Sequence, residues 1–163
     1  MSAYLALAVS VGVLAVLDTW LFVSPLATTA LAGLVWISFI AWGCHFHSGG
    51  GVKGMTTAMI GMGFGAVVGM AAVMLSGQLG SLGGLATPVA VGLGAFVICL
   101  ASKVPLLSTI PASVYGFASI AGPIILAGKT PTEALVPVVL SAVIGALFGY
   151  GSELLANALT KKA

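Results

Sequence analysis

Arginine is missing from this chain, and fixed charge of any kind is scarce: five lysines stand against three acids in 163 residues. A soluble domain of this size would carry about a quarter of its residues as charges. Here the share is 5%, which excludes a soluble surface. So few lysines also exclude nucleic acid as a partner, because phosphate recognition needs a dense basic patch. Cysteine is limited to Cys44 and Cys99, too few for a disulfide framework and without a CxxC arrangement. Cys99 lies inside an apolar run and reads as a small packing residue. There is no Ser-His-Asp set, no HExxH, no dinucleotide fingerprint and no pair of carboxylates within one apolar run. Neither an enzyme nor a bound cofactor is expected.

What the chain has instead is apolar length. Hydrophobic residues make up 60%, and the mean hydropathy is +1.24. Lys53 and Lys103 bracket 49 uncharged residues, and Lys103 and Lys129 bracket another 25. About 20 apolar residues in a helix cover the roughly 30 Å of a bilayer's hydrocarbon core. The expected fold is an all-α integral membrane protein of about six transmembrane helices in one domain, residues 1–163.

Spans are predicted over 3–23, 26–43, 54–75, 82–101, part of 104–128, and 132–159. The first run starts at Tyr4 with no basic residues before it and no clear small-x-small cleavage site, so it reads as a span rather than a removable leader. Asp18, Trp20 and Phe22 at its end resemble an interfacial girdle. Ser24 and Pro25 make a turn, residues 76–81 another, and Pro131 with Thr132 starts the last helix. With both termini cytoplasmic, Lys53, Lys103, Lys161 and Lys162 fall inside and Lys129 outside, as the positive-inside rule favours.

Gly61, Gly65 and Gly69 recur every four residues in the third span, as do Ser141, Gly145 and Gly149 in the sixth. Such stripes let helix backbones approach closely in lipid. Two readings stand. One is a pair of inverted three-helix repeats, 1–77 and 82–159, a transporter architecture. The other is tight glycine-rich packing with no repeat.

The fifth span carries the densest polar signal. Pro105, Ser108, Thr109, Pro111, Ser113 and Tyr115 combine two prolines with four hydroxyls. Proline disfavours helix in the residue before it and removes a donor. This predicts a broken or re-entrant helix, tolerated at membrane depth where it lines a wet cavity. The competing reading is a kinked packing helix whose hydroxyls bond back to their own backbone.

Cys44, His45 and His47 are weak metal candidates without a fourth ligand, and a solvated loop is the simpler reading. Lys53 followed by Gly54 does not make that loop a phosphate site. Asp18 and Glu153 are read as interfacial, with a vestibule as the alternative.

Cys44, Gly49, Gly50, Gly51, Lys53 and Gly54, then Pro111 with Gly116, Ala121-Gly122, and the late Gly145, Phe148, Gly149 and Tyr150 form a recognisable pattern. Together with six short spans it resembles the bacterial inner-membrane proteins of the domain of unknown function 1097 family. That resemblance covers most of the chain and implies an inner-membrane location with no established activity. Pro105, Thr109 and Pro111 are also similar to the Leu-Pro-x-x-Thr-x-Pro-Phe signature of urea transporters. Val104 and Ala112 depart from it, as does one extra residue before Thr109.

The functional expectation is a homo-oligomeric (dimeric or trimeric) channel or facilitator for a small neutral polar solute of the urea or short-amide type. Ser108, Thr109, Ser113 and Tyr115 would line it. The lack of charge pairs within the spans argues against ion-coupled pumping. The alternatives are a non-transporting membrane scaffold or regulatory subunit and a metal transporter using His45 and His47.

Overall fold

Two long helices, α3 (Gly51–Gln78) and α6 (Pro131–Leu159), pack against each other at the centre of a computed structural model that describes residues 1–160. Around them stand α1 (Ala3–Val23), α2 (Val35–His47), α4 (Ala86–Ala101) and α5 (Ile110–Ala127). Short 3₁₀ turns at Gly80–Leu85 and Pro105–Leu107 precede α4 and α5. Lys161 and Lys162 lie outside the described residues.

Five of the helices, counting the Gly80–Leu85 turn with α4, are long and apolar enough to cross a membrane. The chain is therefore an all-α, multi-pass membrane protein in contact with the bilayer. The exception is α2. Its 13 residues reach about 20 Å, and residues 24–34 before it form turns rather than the helix expected from residue 26. Hydropathy alone did not distinguish that turn-rich stretch from a span. Thr29 Oγ1 bonds the Leu26 carbonyl at 2.8 Å and accepts from Leu31 N–H at 3.1 Å, holding the chain out of helix.

Local chemistry fixes the helix ends. Thr130 caps α6 with a reciprocal Thr130–Glu133 box, and Pro131 takes the first turn, where a missing N–H costs nothing. α5 ends on Gly128 at φ 63°, the left-handed cap that favours glycine.

Many buried positions recur at matching places in the first three and the last three helices. All eight buried residues of α3 (Gly54, Ala58, Gly61, Met62, Gly65, Ala66, Gly69, Ala72) have buried counterparts 80 residues later in α6. Ala6, Ser10 and Asp18 of α1 match Ala86, Ala90 and Ile98 of α4 at the same offset. Ile37, Ser38, Ala41, Cys44 and His45 of α2 match Ala112, Ser113, Gly116, Ser119 and Ile120 of α5 at an offset of 75.

The contacts correspond too. α1 and α2 pack on α6, as α4 and α5 pack on α3. α1 runs antiparallel to α6, through Met1 beside Leu159 and Ser10 beside Ser152. α6 is antiparallel to α3, and α3 to α4 through Ser76 beside Thr87. Hence α1 and α4 point in opposite directions.

Candidate functional site

One stripe of α2 collects most of the buried polarity. Ser38, Trp42 and His45 follow at intervals of four and three, so they share a helix face. That face meets α1 and α6. Ser38 Oγ lies 3.0 and 2.8 Å from the two carboxyl oxygens of Asp18, and both residues are fully buried. Trp42 Nε1 donates to Ser152 Oγ at 3.2 Å, and Ser10 Oγ donates to the Ser152 carbonyl at 2.6 Å. Ser152 Oγ in turn donates to the Gly149 carbonyl at 2.6 Å.

At the end of the stripe His45 Nε2 lies 3.2 Å from Glu153 Oε2, a close pair whose ring is not aligned for a hydrogen bond. Gly51 N–H, in the first turn of α3, donates to the same carboxylate oxygen at 2.6 Å. An N-terminal amide and its dipole suit a carboxylate there.

Glycine makes this corner. A Cβ at Gly149 would stand 2.9 Å from the His45 ring, and one at Gly54 would overlap the His45 carbonyl. Gly50, at φ 69°, lies against Glu153 where a side chain would collide with Oε1. Further along, a Cβ at Gly145 would overlap the Ser38 carbonyl. Each stripe glycine read from the sequence therefore has a neighbour: Gly61 meets Ala112, Gly65 meets Ser113, and Gly69 meets Ile120 and Phe117.

The matching corner of the other half is apolar. Asp18, Ser10, Trp42 and His45 correspond to Ile98, Ala90, Phe117 and Ile120, while Ser152 and Glu153 correspond to Ala72 and Val73. Only the Ser38 counterpart, Ser113, stays polar, and its buried hydroxyl has no partner among the described residues.

These contacts correct the sequence reading of Asp18 as interfacial. Asp18 points into the bundle while Trp20 stays exposed, so the two do not form one girdle. Asp18 with Ser38, and His45 with Glu153, are contacts the sequence did not show. Sequence alone missed Ser38, Trp42, Ser10 and Ser152. The available signals were the spacing of 38, 42 and 45, and the eight-residue step from Ser10 to Asp18.

The hydroxyl stretch is divided. Pro105 opens the 3₁₀ turn and Pro111 falls in the first turn of α5, so both prolines sit where helices begin. α5 is continuous from Ile110, not broken within this stretch, and its internal proline is Pro123. Ser108 is exposed and bonds the Pro105 carbonyl at 2.9 Å, the back-bonded arrangement. Thr109 precedes α5 without a side-chain cap bond. Ser113 is buried against α3.

Tyr115 stands apart from them, edge-on to His47 at 6.0 Å between ring centroids. Together with Ile40, Gly43, Cys44 and Ala118 these two line a groove of about 370 Å³ between α2 and α5. His45 and His47 diverge, one toward α6 and one toward α5. Among the described residues no three His, Cys, Asp or Glu side chains converge on a metal position.

No curated protein and no solved structure matches this chain. The likeness to the urea-transporter signature thus rests on residues 104–112 alone. A family model does match, over residues 8–157, and its description is a protein of unknown function. With nearly the whole bundle inside that match, the chain belongs to the DUF1097 family.

Proposed function

We propose that this protein is a membrane facilitator for a small neutral polar solute of the urea or short-amide type, built from two inverted three-helix repeats. The observation that carries the reading is the correspondence of the halves: the buried positions of α3 recur 80 residues later in α6 and five of those in α2 recur 75 residues later in α5, while α1 and α4 run in opposite directions. Transporters of this architecture place their sites at the repeat interface, on short or interrupted helices in corresponding positions. α2 and α5 are the corresponding elements of the two repeats, each preceded by an irregular segment containing proline, and α2 is the short one.

The α2–α5 groove spans the two repeats. Ile40 corresponds to Tyr115 and Gly43 to Ala118, at the 75-residue offset. It holds no fixed charge. Its polar handles are the Tyr115 phenol and the His47 imidazole, each able to donate and accept. A few such groups bind weakly enough to let a solute leave. Gly43 and His47 are exposed, so a homo-oligomer, dimer or trimer, would close the groove on its outer side.

The location we propose is the bacterial inner membrane with both ends of the chain cytoplasmic. The Met1 amine lies 3.4 Å from the Leu159 carbonyl, which puts both at one end of the bundle. Lys129 reaches the Ala30 carbonyl, 3.2 Å away, at the other. That separation follows the positive-inside bias.

Stopped-flow flux into proteoliposomes tests the function, with urea, acetamide, glycerol and water as solutes. Wild-type protein should exceed empty vesicles for at least one amide. Gly43→Leu should remove the excess, because Gly43 lines the groove and a Cβ there has nothing within 4 Å, which leaves the added side chain free to occupy it. Wild-type flux equal to that of empty vesicles for all four solutes would leave the scaffold reading in its place.

A further inference from the structure

The fold does not need a carboxyl group where Asp18 sits. Its counterpart Ile98 occupies the same register on α4, equally buried against the opposite long helix. Burying a carboxylate in a membrane protein is costly unless a cation or several donors receive it. Asp18 has one hydrogen-bonding partner among the described residues, Ser38.

Among the described residues, the elements packed on α1 supply no cation to it. α2 carries Cys44, His45 and His47, and α6 carries Glu133, Tyr150 and Glu153. His45 is paired with Glu153, His47 faces Tyr115, Cys44 lies beside Ser48, and Glu133 caps its own helix. None of these bonds Asp18, and neither does Tyr4 of its own helix. Lys129 is engaged at Ala30.

The geometry points to Asp18 as a proton-binding site inside the membrane, with Ser38 as the partner that serves both of its states. A hydroxyl donates and accepts. With the proton bound, the Asp18 O–H donates to Ser38 Oγ. When the proton leaves, the Ser38 hydroxyl turns and donates to the carboxylate, whose two oxygens it already faces at 3.0 and 2.8 Å. In the other half the same serine position, Ser113, faces no acid, and its hydroxyl is idle. The polar half thus binds a proton that the apolar half cannot. This inference does not rest on the solute reading, because its test measures the acid itself.

Infrared difference spectroscopy of the full chain in lipid, taken between acidic and alkaline buffer, is the decisive measurement. The acid carbonyl band of a buried carboxylic acid should be present in the wild type, shift in Ser38→Ala and vanish in Asp18→Asn. A spectrum unchanged by Asp18→Asn overturns the assignment. Asp18→Ile, copied from position 98, serves as a second variant that removes the group while keeping a side chain this fold already buries. Dicyclohexylcarbodiimide, an apolar reagent for protonated carboxyls, separates proton from metal cation. An adduct at Asp18 that is lost in both variants and indifferent to sodium supports the proton site, whereas protection by sodium replaces it with a cation site.

Discussion

Gly145 faces the main-chain carbonyl of Ser38 with no room for a Cβ between them, and Gly65 faces the Ser113 carbonyl in the same way. Two contacts at related positions hold α2 onto α6 and α5 onto α3. Gly145→Ala and Gly65→Ala should each lower stability by about 1–3 kcal/mol, the usual cost of forcing extra volume into a filled interior. Gly12→Ala is the control. Nothing lies within 4 Å of its added methyl, so it should lose nothing and gain up to about 1 kcal/mol. Thermal unfolding in one detergent compares the three.

Glu153 accepts from the Gly51 amide and lies against His45, so its removal affects two elements. Glu153→Ala should destabilise by about 1–3 kcal/mol through the unpaired amide. Glu153→Gln keeps an acceptor and should cost less. If the two variants melt together, the carboxylate does not anchor the start of α3.

Ser108 and Ser113 should separate cleanly. Ser108→Ala removes an exposed hydroxyl bonded to its own turn and should stay within about 0.5 kcal/mol of wild type. Its solute flux should also be unchanged. Ser113→Ala removes a buried hydroxyl without a partner and should be neutral or stabilising. A flux loss in Ser108→Ala would return the permeation path to the hydroxyl stretch.

An acid transplanted into the apolar half tests the correspondence of the halves. Ile98→Asp should destabilise, but less with Ser113 present than in the Ser113→Ala background. The coupling expected for one recovered hydrogen bond is about 1 kcal/mol. A coupling of zero would mean that positions 98 and 113 do not face each other as 18 and 38 do.

Much of the fold was legible because lipid simplifies the reading. The bounds of α1, Ala3–Val23, followed from apolar length alone, and Pro131 marked the start of α6. The four-residue glycine steps marked α3 and α6 as the close-packed helices, since close backbone approach has few other sequence solutions, but not α5 and α2 as the helices that meet them. The 24–34 turns escaped notice because Leu26, Ala27, Ala30, Leu31 and Ala32 are as apolar as a helix. What displaces the helix is a local Thr29 bond.

Asp18 was harder to place for a different reason. α1 is apolar on every face, so no amphipathic contrast shows which way a single acid turns. Its direction depends on Ser38, 20 residues away, and on the stripe of α6 that receives α2. Tyr115 was grouped with the neighbouring hydroxyls, but its ring stands against His47 of the other half.

The nearness of Met1 to Leu159 has a practical consequence for rearranging the gene. A short linker from residue 163 back to Met1, with new ends cut in the Gly80–Leu85 turn, would yield a circularly permuted chain in which residues 86–163 are synthesised first. Such a permutant would insert the apolar half before the half bearing Asp18, and would show whether the order of emergence decides how the bundle sits in the bilayer.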